Sequence, residues 1–265
     1  MQRRSTTHVP AILLYIRRRM TMSSDDQSGV SEWVRGLLSH VETIDDEWQT
    51  VRIACDESAW NLLVEVRHRT ERRYDDRSLL RKFYLVRSEY EAELAALKHL
   101  STQSSVTGYV PEFVAECSST TSQAAGDVYS LVMTRVGTHE LFDYVRGMVG
   151  TKHSPRTIAY NVCKALHAVS GACVVHGDLH EGNLMIDAES GHVHVIDFGS
   201  SMRVPDARVA FVSMMSDRKL LEASIAWDVG ARHRWVGVLG GVARAFVAAW
   251  PNLPSEEAVK ESELV

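Results

Sequence analysis

The stretch VVHGDLHEGNLMID, Val174 to Asp187, decides the fold. It places His176, Asp178, His180, Glu181 and Asn183 within eight positions, then returns directly to Leu184, Met185 and Ile186. A solvated loop needs no apolar flanks, and a core strand does not tolerate such a polar centre. The pattern describes a short loop held rigidly between a helix and a strand, presenting acid and amide groups to a ligand. Upstream, Ser154-Pro155 is a cap and first-turn pair, and Ile158, Val162, Leu166 and Val169 repeat at helical spacing.

Downstream, NLMI and HVHVIDF read as two strands joined by the turn DAESG, Asp187 to Gly191. Asp197 closes the second strand fourteen residues after Asn183, and Gly199 lets the chain turn sharply behind it. The two arms of such a hairpin can bring Asn183 and Asp197 together. Paired oxygen ligands of this kind suit Mg²⁺, which takes one or two carboxylates and otherwise keeps water and phosphate oxygens. Asp178 sits apart from that pair, where it can accept a proton from an attacking hydroxyl.

The rest of the chain divides by texture. Ser31 caps an expected helix with Trp33, Leu37 and Val41 on one stripe. VRIACDE, NLLVEVRHRT and SLLRKFYLV then read as antiparallel strands. A helix follows, with Ser88 and Glu91 as a capping box and Tyr90, Leu94 and Leu97 at helical spacing. PEFVAECS and DVYSLVMTRV read as two more strands, joined by a loop from Ser118 to Gly126. HELFDYVRGMV reads as a helix, as do KLLEASIAW and RWVGVLGGVARAFVAAW near the end. Strands with one helix, then helices with one small hairpin, predict an α+β chain in two lobes. The expected layout is a tail over 1–29, an N-lobe over 30–133, a C-lobe over 134–252 and a tail over 253–265.

H-x-D-L-x-x-x-N followed by D-F-G resembles the catalytic and metal loops of the protein-kinase-like superfamily. His176, Asp178, Leu179, Asn183, Asp197, Phe198 and Gly199 fill the pattern in order. The resemblance implies a two-lobed fold and in-line transfer of the γ-phosphoryl group of ATP to a hydroxyl. It makes Asp178 the catalytic base, Asn183 and Asp197 the Mg²⁺ ligands and His176 a structural member of the loop. It also asks for a phosphate-clamping lysine. Lys82 is the only lysine in the first 97 residues, and strand alternation sets it on one face with Leu80 and Tyr84. Its partner on the following helix would be Glu93, with Glu89 and Glu91 as alternatives. The same resemblance sets adenine against the crossover LVMTRV. Backbone groups of Thr134 and Val136 would bind it, Met133 would gate the back pocket, and Leu80 and Met185 would sandwich the ring.

The sequence also departs from the pattern. No glycine occurs from Leu37 to Thr107, so DESAW, Asp56 to Trp60, replaces a Gly-rich phosphate loop, with Ser58 as a candidate donor. Gly177 stands where regulated protein kinases carry arginine. No A-P-E follows D-F-G, and Asp217 is the candidate acid bracing the catalytic loop, which implies an abbreviated activation segment. HGDLH-x-x-N is familiar from aminoglycoside and other small-molecule phosphotransferases, with a close variant in atypical protein kinases of the RIO type. From the compact size and the hinge-like LVMTRV, the expected activity is an ATP- and Mg²⁺-dependent kinase acting on a protein serine or threonine, with a small-molecule kinase or a pseudokinase binding module as alternatives. The partner is a hydroxyl-bearing substrate, and the sequence does not fix the oligomeric state.

Composition narrows the classes further. A net charge of -5 argues against a nucleic-acid binder. Four scattered cysteines without C-x-x-C spacing fit a reducing compartment. No apolar run reaches the roughly 18 residues needed to span a bilayer, so no membrane partner is expected. A cytoplasmic location follows, with a mitochondrial presequence as the alternative because the first 24 residues hold five arginines and no acid. His176 and His180 do not make an H-x-x-x-H zinc pair, because Gly177 interrupts the helix such a pair needs.

Overall fold

The computed structural model describes residues 47–54, 62–74, 76–84, 86–122, 126–145, 147–216 and 229–261. The expected Ser31 helix, the DESAW turn with Ser58, Asp217 and KLLEASIAW lie outside them. So do the 1–29 tail and the last four residues.

A five-stranded sheet opens the described chain: β1 (Trp48–Ile53), β2 (Leu62–His68), β3 (Leu79–Tyr84), β4 (Phe113–Ser122) and β5 (Gly126–Thr134), in the order β1-β2-β3-β5-β4. The first three strands form antiparallel pairs, with Lys82 opposite Leu63 and Leu80 opposite Glu65. β4 runs on through Ser122, so the expected Ser118–Gly126 loop is shorter than its composition implied. β4 and β5 are hydrogen-bonded neighbours in the sheet, and strand pairing can override a polar composition.

Between β3 and β4 lies helix α1 (Arg87–Leu100). It already includes Ser88, so Ser88 stands inside the first turn and not ahead of it as a capping box needs. Its buried face is Tyr90, Glu93, Ala96, Leu97 and Leu100. β6 (His139–Glu140) and α2 (Leu141–Val145) follow. His139 and Glu140 were expected in a helix; they pair with β8 (Leu184–Ile186) instead, and β8 pairs with β9 (Val193–Val195). Cross-strand hydrogen bonding outweighs helix propensity over so short a stretch.

Helix α3 (Pro155–Gly171) begins as expected. The Ser154 hydroxyl accepts the Thr157 amide at 3.1 Å, and Ile158, Val162, Leu166 and Val169 are fully buried. β7 (Val174–Val175), a strand too short to read from sequence, stands between α3 and His176 and pairs with β10 (Met202–Arg203). Then come α4 (Ala207–Met215), α5 (Val229–Ala249) and α6 (Glu256–Glu261).

The chain forms two compact units. One comprises residues up to Arg87 with Ala115–Val132; the other comprises Ser88–Val114 with Met133 onward. The first has Val64, Val66, Leu79, Phe83, Tyr84 and Leu131 at its core. In the second, α3 packs on α4, α5 and β9. Residues 88–114 belong there for reasons visible in the bonds. His99 Nε2 meets the Ala172 carbonyl at 2.9 Å, the Val195 amide donates to the Tyr109 carbonyl at 2.8 Å, and His192 Nε2 meets the Gly108 carbonyl at 2.7 Å.

Candidate active site

Within the first unit, β3 is covered on both faces. Lys82 is 3% exposed, and its Nζ lies 5.1 Å from the centre of the Tyr84 ring, two residues on and on the same face. The other face carries Arg81, whose Nε donates to Ser130 Oγ at 3.1 Å and whose guanidinium lies 5.0 Å from the Phe83 ring. Burying an ammonium is costly without compensating contacts, so such a lysine is a marked feature of the strand. Leu80 is half-buried beside it.

The second unit holds the remaining candidates. Of the three candidate acids on α1, Glu93 is fully buried, Glu89 half-buried and Glu91 exposed.

The loop after β7 is built from side-chain to backbone bonds. His176 is fully buried; its Nε2 donates to the Ile196 carbonyl at 2.7 Å, and its Nδ1 accepts the Asp178 amide at 3.3 Å. Both bonds require the neutral Nε2–H tautomer. Burial agrees, pushing the imidazole below its ordinary pKa against the opposing pull of Asp197, Asp178 and Glu93.

Asn183 ends a 3-10 turn over Glu181–Asn183 that His180 caps by accepting the Gly182 amide at 3.1 Å. Asn183 was expected at the head of a strand. It stands one residue earlier, in the turn, where it is 7% exposed. Its Nδ2 donates to the Asp178 carbonyl at 2.9 Å, and its own carbonyl accepts the Ile196 amide at 3.0 Å. The first bond orients the amide and leaves Oδ1 as the acceptor end, the atom a hard cation would take. It also ties Asp178 directly to Asn183, two groups the sequence set apart.

Asp197 sits beyond β9 in the left-handed backbone region, φ 63°, a conformation that costs a non-glycine residue energy and that clusters at functional sites. Its Oδ1 accepts the Gly199 amide at 3.5 Å. His176 packs on Phe198, with ring centres 5.1 Å apart. His176, Asp178, Asn183 and Asp197 therefore form one bonded cluster through Ile196. Among the described residues, no three His, Cys, Asp or Glu side chains converge to hold a metal. One carboxylate with one amide oxygen is nevertheless a donor set that suits Mg²⁺, which keeps water and phosphate as further ligands.

At the crossover, Met133 is buried. The Thr134 amide donates to the Glu112 carbonyl at 3.0 Å, and its hydroxyl accepts the Glu112 amide at 2.8 Å. Val136 forms no hydrogen bond among the described residues. Gly137, which the sequence reading passed over, has φ 66°, and a Cβ there would stand 2.5 Å from that of Met185. Its signal was a lone glycine directly after an apolar strand. Gly177 stands out in the sequence for replacing an arginine and for interrupting a helical H-x-x-x-H pair, not for its contact with the segment after D-F-G. It has φ 81°, and a Cβ would collide with the Ser200 carbonyl oxygen.

A family model described as a protein kinase domain matches residues 81–217. Among solved structures, the chain is similar to that titled "Structure of the Cydia pomonella Granulovirus kinase, PK-1": 15% identical, TM-score 0.47, covering 89% of this chain and 80% of that one. Those values are too low to add to the family assignment. No curated protein matches. The matched span runs from β3 past the D-F-G turn and takes in more than half of the chain, which belongs to the protein kinase domain family.

Proposed function

We propose that the chain is an ATP-dependent phosphotransferase that moves the γ-phosphoryl group to a hydroxyl, with protein serine or threonine as the first acceptor class. The observation that carries this reading is the bonded cluster, in which Asn183 Nδ2 holds the Asp178 carbonyl while His176 and Asn183 both grip Ile196 beside Asp197. Such a frame holds reacting groups in place, and positioning is most of what a protein contributes to phosphoryl transfer.

In this reading the Asp178 carboxylate orients the acceptor hydroxyl and takes its proton. Asn183 Oδ1 and the Asp197 carboxylate would hold Mg²⁺. When bound, that ion neutralises charge on the phosphates. Lys82 is the cation assigned to the phosphates, with Glu93 as its proposed helix partner. Thr134 and Val136 offer backbone groups to adenine; Leu80, Met133 and Met185 are assigned to its faces and back edge. Nucleotide clamping falls to residues 30–133 and catalysis to 134–252.

A second reading, a small-molecule kinase, is favoured by one observation. Only eight residues separate Asp197 from Asp206, which caps α4 by accepting the Val209 amide at 2.9 Å, and so short a segment is a narrow platform for a peptide.

The test is a transfer screen with γ-labelled ATP against protein and metabolite pools. Label on protein hydroxyls supports the first reading, and label confined to metabolites supports the second. Nucleotide binding without turnover by the full chain rejects both and leaves a binding module.

A further inference from the structure

α4 and α5 pack against each other, and a cavity of about 440 Å³ opens along their seam. Arg208 and Met215 of α4 face Gly240, Ala243, Arg244 and Val247 of α5 across it. The cavity has a simple origin. α5 turns Leu239 and Phe246 fully into the core and leaves small side chains on the stripe toward α4, too little volume to fill the seam. On α4, Val212 lies on the same stripe as Arg208 and Met215 and is 40% exposed, which extends the apolar strip. Arg208 and Arg244 are exposed, and neither guanidinium makes a hydrogen bond or ion pair among the described residues.

We propose that this groove docks an acidic-apolar helical segment of the protein acceptor; the inference rests on the protein-acceptor reading above. Two guanidinium groups over an apolar floor match a peptide with carboxylates flanking leucine-type side chains. From Gly240 to Val247 the stripe runs about 10 Å, the length of two helical turns. The activation segment supplies the reason for remote docking. Of the eight residues between Asp197 and Asp206, Met202 and Arg203 are paired to β7, so little chain beside Asp178 remains to hold a polypeptide. α4, which carries Arg208, is the next element along the chain.

The experiment measures fluorescence anisotropy of a labelled twelve-residue peptide. Its two glutamates flank leucines at helical spacing, and a second peptide has lysines in their place. The full chain is used, with Arg208→Glu/Arg244→Glu and Ala243→Phe variants. Saturable binding of the glutamate peptide is expected, at least tenfold weaker in either variant and in the lysine peptide. The arginines are exposed, so the charge reversal keeps the fold even if Ala243→Phe does not. No binding, equal binding of the two peptides, or binding unchanged by charge reversal overturns the proposal. Dodecanoate binding without peptide binding assigns the groove to a small amphiphile and overturns it as well. ATP turnover without acceptor is measured in parallel and is expected to be equal in wild type and charge reversal. A wild-type chain that transfers no label to any pool in the acceptor screen sinks the kinase reading while leaving the binding result to judge the groove.

Discussion

The α-carbon of Gly177 lies so close to the Ser200 carbonyl that no side chain fits between them. The residue ahead of the proposed base is thereby locked against the segment that follows D-F-G, and β7 pairs with β10 just outside that contact. Contact with backbone cannot be relieved by a rotamer change. The positive φ adds a penalty of about 1–2 kcal/mol for any L side chain. Gly177→Ala is therefore expected to lower the melting temperature and to cut turnover by more than tenfold, with nucleotide affinity changing less. Wild-type turnover in Gly177→Ala would show that the two loops move independently.

Asp178 and Asp197 should separate by assay. Asp178→Asn keeps the Asn183 bond, which goes to the main-chain carbonyl, and removes the proton acceptor. Phosphoryl transfer should fall by about 10² or more while ATP affinity holds. Asp197→Asn should instead weaken Mg²⁺-dependent nucleotide binding. Calorimetric titration of ATP with and without Mg²⁺ checks both; equal loss of binding in the two variants contradicts the division of roles.

Lys82→Met removes the ammonium but keeps an unbranched chain against Tyr84, where a thioether is well accepted. The variant should fold with a melting temperature close to wild type and turn over ATP at least about a hundredfold more slowly, because the loss is one of phosphate positioning. Retained turnover would assign the phosphates to another cation.

His194 makes stability depend on pH. Burial and the neighbouring His192 ring, 4.6 Å away, push its pKa down to about 4 from the ordinary 6.5, against the Gly108 carbonyl and Asp187. Its Nδ1 is buried without a hydrogen-bond partner among the described residues. Tyr109 stacks on His192 at 5.0 Å. The unfolded chain binds the proton more readily, so stability is full above pH 6.5 and is lost as pH falls toward 4. The melting temperature should drop across that window, and His194→Gln should shrink the drop. An unchanged pH profile in the variant would place the titration elsewhere.

Much of this was legible in the chain. The α3 cap at Ser154, its four-residue stripe, the β8–β9 hairpin and the H-x-D…N…D-F-G order follow from periodicity and turn chemistry, which are local and written in neighbouring residues. Lys82 stood out because no other lysine precedes it, and Glu93 because it falls on the inward face of α1.

Tertiary structure decided the rest. Two-residue strands such as β6 and β7 have no local signal; they exist because a distant segment supplies hydrogen-bond partners. The bond from Asn183 to the Asp178 carbonyl, the neutral tautomer of His176 and the left-handed turn at Asp197 all depend on packing between loops. Sequence fixes which side chains are available at what spacing, whereas the burial and geometry that tune them come from residues far along the chain.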